Sequence, residues 1–132
     1  MSVAEVDGSS VTPEDTEDTL DRAAIGNLLE LGGSGLLSEL AETFSGDARS
    51  ALSALREAAT ASDARSVERI AHSLKGSSGS MGARRMSAIC AELQDIGASG
   101  DLPSVPGLLE RLEEEFGRVR AALEDELARS RV

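Results

Sequence analysis

The stretch AHSLKGSSGSMG, residues 71–82, decides how the chain folds. It contains the only histidine of the sequence, His72, and Lys75, the only lysine among 13 basic residues. Gly76, Gly79 and Gly82 follow within ten residues of the histidine. Each glycine argues against a helix, because glycine is roughly 1 kcal/mol worse than alanine in a helix interior. The apolar residues argue the other way. At about 100° per residue, with Leu74 as the centre of a face, Val67, Ile70, Ala71, Ser78 and Met81 all fall within about 60° of it. A helix ending at Gly76 would leave Ser78 and Met81 continuing that stripe without reason. The stretch is therefore expected to be helical up to Gly82. His72 then lies about 160° from the core centre, near the solvent pole, with Gly76 and Gly79 on either side of it. Lys75 lies on the flank, about 100° from the centre and one turn after the histidine.

The same three- and four-residue steps recur on both sides. Upstream, LLSELAETFSGDARSALSALREAAT (36–60) places Leu37, Leu40, Ala41, Phe44, Ala48, Ala51, Leu52 and Leu55 on one face, with Gly46 inside the pattern. Before it, LDRAAIGNLLEL (20–31) is a short helical pattern broken by GGSG at 32–35, where Ser34 could cap the next helix. TASD (60–63) is a turn with capping residues. Downstream, Met86, Ile89, Cys90, Leu93, Ile96 and Gly97 share a face of ARRMSAICAELQDIG (83–97), and ASGDLP (98–103) turns the chain. SVPGLLERLEEEFGRVRAALEDELARS (104–130) faces Leu108, Leu109, Leu112, Phe116, Val119, Leu123 and Leu127 inward. Four long amphipathic helices with short connections predict an all-α, antiparallel four-helix bundle, with a short additional N-terminal helix capping one end. The bundle is expected over residues 19–131, after an acidic, Ser/Thr-rich and disordered tail at 1–18.

Composition supports one helical domain. The chain has 132 residues, 2 % aromatics, no Trp and no Tyr, so its core is built from aliphatic side chains. The formal net charge is −11. Glu5, Asp7, Glu14, Asp15, Glu17 and Asp18 supply −6 of this within the tail and leave −5 for the rest. Such acidity disfavours nucleic acid and anionic membrane surfaces as partners. One cysteine cannot form an internal disulfide, the N-terminus lacks the basic and apolar regions of a signal peptide, and no apolar run reaches membrane-spanning length. A cytoplasmic protein is expected.

The chemistry around His72 is narrow. Imidazole titrates close to neutral pH and is nucleophilic when unprotonated. A lysine one turn away offers a compact positive charge. The pair suits a nucleophile that receives an anionic group, most simply phosphoryl, with Lys75 offsetting the added charge. The glycines that follow His72 clear space for something large to approach. The remaining apparatus of an enzyme is missing: a second histidine, a nucleophile elbow, a zinc ligand set, a GxxxxGK[ST] loop or a kinase glycine loop. The chain is equipped to carry a phosphoryl group but not to take one from ATP.

AHSLKGSSGSMGARRMSAICAELQDIG closely resembles the histidine-containing phosphotransfer (Hpt) domain of multistep phosphorelays and two-component signalling. The shared pattern is a histidine, an apolar residue two positions on, then Lys-Gly, small residues, and a glycine ten after the histidine. His72, Leu74, Lys75, Gly76, Ser77, Ser78 and Gly82 match in register. The resemblance implies a four-helix bundle in which His72, on an exposed helix face, exchanges phosphoryl with a receiver-domain aspartate of a response regulator. It implies that Mg²⁺ and the catalytic acidic residues belong to the receiver, so the chain needs no cofactor of its own. Lys75 would stabilise the phosphoryl group, Gly76 would permit close docking, and Gln94 would sit near the histidine on the next helix. The dimerisation helix of sensor kinases usually has an acidic residue after its histidine and a proline soon after. Here Ser73 follows His72 and the next proline after the histidine is Pro103, which favours a monomeric transfer module.

Two other functions fit the same residues: an adaptor that docks receiver or kinase domains without accepting phosphate, and a phosphoacceptor for a separate chemotaxis-type histidine kinase. Arg65 and Arg69 share the His72 face and are placed to meet an acidic receiver surface or to be solvated helix charges. Cys90, on an apolar face, is expected in the core. Arg84 and Arg85 mark a helix start after Gly82.

Overall fold

A computed structural model of the chain describes residues 19–131; the expected tail at 1–18 lies outside the described residues. Among the described residues four helices account for most of the fold: α1 (Arg22–Thr60), α2 (Ala64–Ser80), α3 (Arg84–Ser99) and α4 (Val105–Ser130), with one 3₁₀ turn, Leu102–Ser104, before α4. Cross-helix pairs fix the directions. Arg22 approaches Glu126 at 3.9 Å, Phe44 meets Phe116 edge-on with ring centroids 6.1 Å apart, and Arg56 pairs with Glu113, so α1 and α4 run antiparallel. Arg111 reaches Glu92 at 3.5 Å, and Arg85 lies 3.8 Å from Glu115, so α3 and α4 do too. The result is the all-α bundle that the periodicity predicts. Its core is the predicted aliphatic stripe: Leu37, Leu55, Val67, Ala71, Met86, Cys90, Leu93, Leu112 and Val119 are each fully buried.

The short N-terminal helix is also present, and the break that separates it from the rest of α1 is narrower than GGSG suggests. Only Gly33 leaves helical geometry, at φ 68° and ψ −163°, a left-handed region that side chains with a Cβ avoid. Gly46, which weakened the pattern in sequence, stays helical and exposed. The N-terminal piece covers one end of the bundle, where Asp21 N–H donates to Gly82 O at 2.7 Å and Arg84 donates to Asp21 at 2.8 Å. That pairing with Arg84 is the main reason the Asp21 carboxyl is held below the usual carboxylate range.

One inward residue of α4 is not apolar. Glu115 is buried, with one oxygen accepting from Arg118 at 2.9 Å and the other without a hydrogen-bond partner. Arg118 and Arg85 reach it from the half-exposed rim. In sequence Glu115 is one of three consecutive glutamates, 113–115, and it alone of the three falls within about 60° of Leu112 on the inward face.

Candidate functional site

α2 carries the site, and local sequence sets both of its ends. Asp63 caps the start: its carboxylate accepts from Ser66 N–H at 3.1 Å and from the Ser66 hydroxyl at 2.6 Å. Those bonds, first the hydroxyl's, hold the Asp63 carboxyl below its ordinary range, and Arg69 and Arg65 add to the effect. The other end closes in a Schellman arrangement, with Ala83 N–H donating to Ser78 O at 2.9 Å and Gly82 N–H to Gly79 O at 3.0 Å. Gly82 sits at φ 77°, and a Cβ there would also come within 3.0 Å of Ala24 Cβ and 3.2 Å of Asp21 Cβ. The helix therefore runs through Gly76 and Gly79 and ends at Ser80, with Met81 as its C-cap before Gly82.

On this helix Val67, Ala71, Leu74 and Ser78 are buried and His72 is exposed. Ser78 satisfies its hydroxyl inside the core by donating to Leu74 O at 2.7 Å. Lys75 is half-buried on the flank, and Gly76 is exposed. A Cβ built on Gly76 would meet no atom within 4 Å, and one on Gly79 would meet only the Ser87 hydroxyl at 3.8 Å, an ordinary contact. Nothing in the described fold forbids alanine at either position, so their use of glycine has no internal packing reason.

The neighbouring helix brings in the second half of the site. Arg65, Glu68, Arg69, His72 and Gln94 line one shallow cleft of about 380 Å³ between α2 and α3. Gln94 and His72 thus face the same cleft from neighbouring helices, and both arginines stand on the histidine side. Glu68 was not singled out in sequence. On the opposite side of the His72 ridge, α1 and α2 frame a groove with Ala51, Ala54 and Ile70 in its floor and Arg69, Ser73 and Ser77 on its rim.

Two further contacts that sequence does not reveal fix α3 against α2. Ser87 donates its hydroxyl to Lys75 O at 3.1 Å. At the far end Gly97 abuts backbone: a Cβ there would lie 2.6 Å from Glu68 N, 2.9 Å from Ala64 O and 2.9 Å from Glu68 Cα. Gly97 is legible in sequence as a residue of the buried face, but its contact with the α2 backbone is not. Cys90 is fully buried; loss of water around it pushes the thiol up to about 12, with the Ser78 hydroxyl pulling the other way. Among the described residues no group of three or more His, Cys, Asp and Glu could hold a metal ion, and no helix is long and apolar enough to cross a membrane.

A solvent-facing histidine midway along a bundle helix, followed by lysine and uncovered glycines, is the arrangement that the resemblance implies. The family model of the Hpt domain matches residues 39–122. The chain belongs to the histidine-containing phosphotransfer (Hpt) domain family and is a histidine phosphotransfer protein of phosphorelay signalling, a family that works with receiver domains and histidine kinases. Among solved structures it is similar to histidine-containing phosphotransfer protein B (HptB) from Pseudomonas aeruginosa PAO1. The sequence identity is 34 % and the TM-score 0.79, over 84 % of this chain and 96 % of that one. No curated protein sequence matches the chain.

Proposed function

We propose that His72 accepts a phosphoryl group from the aspartyl-phosphate of one receiver domain and passes it to the aspartate of another. An imidazole nitrogen, Nε2 by resemblance, attacks phosphorus in line as the P–O bond to the aspartate breaks. The reverse step returns phosphoryl to an aspartate. Lys75 balances the charge that arrives on His72, and Gln94 donates a hydrogen bond to the imidazole or its phosphoryl group. Gly76 and Gly79 leave room for the receiver, and Arg65 and Arg69 face its acidic surface. The receiver supplies Mg²⁺, which would stabilise the transferring group. The chain itself acts as a monomeric, cytoplasmic carrier without an ATP site or kinase activity, and engages neither nucleic acid nor membrane.

The observation that carries this reading is the exposure of His72 beside a glycine, Gly76, around which the fold leaves open space. The test is incubation with a ³²P-labelled receiver domain. The wild type should acquire an acid-labile, base-stable phosphate, and His72→Gln should acquire none. Label that persists in His72→Gln would sink the assignment, and binding without transfer between pH 6 and 8 would favour a docking adaptor instead.

A further inference from the structure

We infer that Gly97 is a positioning residue for the phosphotransfer site: its missing side chain lets α3 approach α2 closely enough for Gln94 to reach His72. The inference rests on the reading of His72 as phosphoacceptor. α2 and α3 are antiparallel, since Gly97 abuts Glu68 while Ser87 bonds Lys75. From the Glu68–Gly97 crossing, four residues along α2 lead to His72 and three residues back along α3 lead to Gln94. At 1.5 Å per residue these are steps of about 6 Å and about 4.5 Å in the same direction. His72 and Gln94 therefore stand one turn beyond the crossing, and both line the same cleft.

The atoms that a Cβ at Gly97 would strike are all backbone atoms of α2. No side-chain rotation can relieve the contact, so the helices must separate. Carbon contacts need about 3.5 Å or more, and a contact of 2.6 Å would have to lengthen by about 1 Å. The Ser87 hydroxyl on Lys75 O anchors the opposite end of the pair. Separation is thus largest near Gly97 and is felt at Gln94 before it is felt at Lys75. A hydrogen bond from Gln94 to His72, or to the phosphoryl group it would carry, could not form across a cleft widened by that much.

The experiment combines transfer kinetics with a measurement that does not depend on transfer. In the unphosphorylated wild type, NMR should show a nuclear Overhauser contact between the Gln94 side-chain amide and the His72 ring, and Gly97→Ala should lose it while keeping its helical circular dichroism. Transfer from a labelled receiver should slow by roughly tenfold in Gly97→Ala, the scale of one lost hydrogen bond to a charged group. In a Gln94→Ala background the same substitution should slow transfer by less than about twofold, because the partner it positions is already gone. Equal slowing in both backgrounds, an unchanged rate in Gly97→Ala, or loss of its helical signal would each overturn the positioning role. Absence of the contact in the wild type would overturn it regardless of kinetics. A present contact with no wild-type labelling would overturn the proposed phosphotransfer and leave the Gly97–Gln94–His72 geometry standing.

Discussion

Gly76 and Gly97 are both helical glycines close to His72, and they are glycine for opposite reasons. At Gly76 a Cβ would meet no atom within 4 Å, whereas at Gly97 three backbone atoms of α2 lie within 3.0 Å of where a Cβ would be. A helix interior disfavours both by roughly 1 kcal/mol relative to alanine. At Gly97 the fold recovers that loss through close helix packing, which lets the buried stripes of α2 and α3 meet. At Gly76 it recovers nothing. Gly46 and Gly117 are equally open on α1 and α4, so it is the place of Gly76 one turn after an exposed nucleophile that fits the proposed docking of a receiver.

The contrast would break if bulk at Gly97 were harmless. Gly97→Leu forces a side chain into the α2 backbone, and overpacking of this kind typically costs 1–3 kcal/mol. For a bundle of this size the thermal midpoint should fall by at least about 4 °C. An unchanged melting temperature would mean that α3 shifts freely and that the Gly97 contact sets nothing.

The opposite sign is expected at Gly76. Gly76→Ala removes backbone freedom from the unfolded chain and meets no atom within 4 Å, so it should stabilise the protein by about 0.5–1 kcal/mol. Equilibrium denaturation measures this directly. Gly76→Leu should fold as well, yet weaken receiver docking, visible as a higher half-saturating receiver concentration in the transfer assay. A destabilised Gly76→Ala would show that the fold itself needs glycine there.

How much of this was legible in sequence follows from what each feature depends on. Each helix depends on periodicity within its own segment and their antiparallel order on the short connections, and the wheel drawn around Leu74 carries the exposure of His72. The end of α2 depends on Gly82, whose positive φ answers a local need. What sequence could not supply depends on atoms far apart in the chain. Ser87 reads as one more small polar residue until Lys75 O is placed opposite it at 3.1 Å. Gly97 reads as a small residue on a buried face until the Glu68 backbone arrives. Glu115 falls on the inward stripe of α4 by its own spacing, but that it meets Arg85 of α3 there, beside Arg118 one turn on, is a property of the assembled bundle. Gln94 was placed near His72 by resemblance alone, and the shared cleft gives that pairing a location.

Cys90 offers the finest probe of the packed side, since it lies buried on α3 close to Ser78 of α2. Its thiol, pushed up to about 12 from an ordinary 9.0, stays protonated in the folded chain where the unfolded chain would already ionise. Between those values the unfolded state binds fewer protons, so stability falls as pH rises. The effect should be roughly 1 kcal/mol from pH 8 to pH 10, and it should vanish in Cys90→Ala, whose overall stability is lower but whose pH slope is flatter. At pH 8 a thiol reagent should barely label the native wild type, because thiolate is scarce and buried. Gly97→Leu, by loosening α3 from α2, should raise that labelling rate, and Gly76→Leu should leave it unchanged. Equal rates in the two leucine variants would erase the distinction between the glycine that the fold consumes and the glycine that it leaves for a partner.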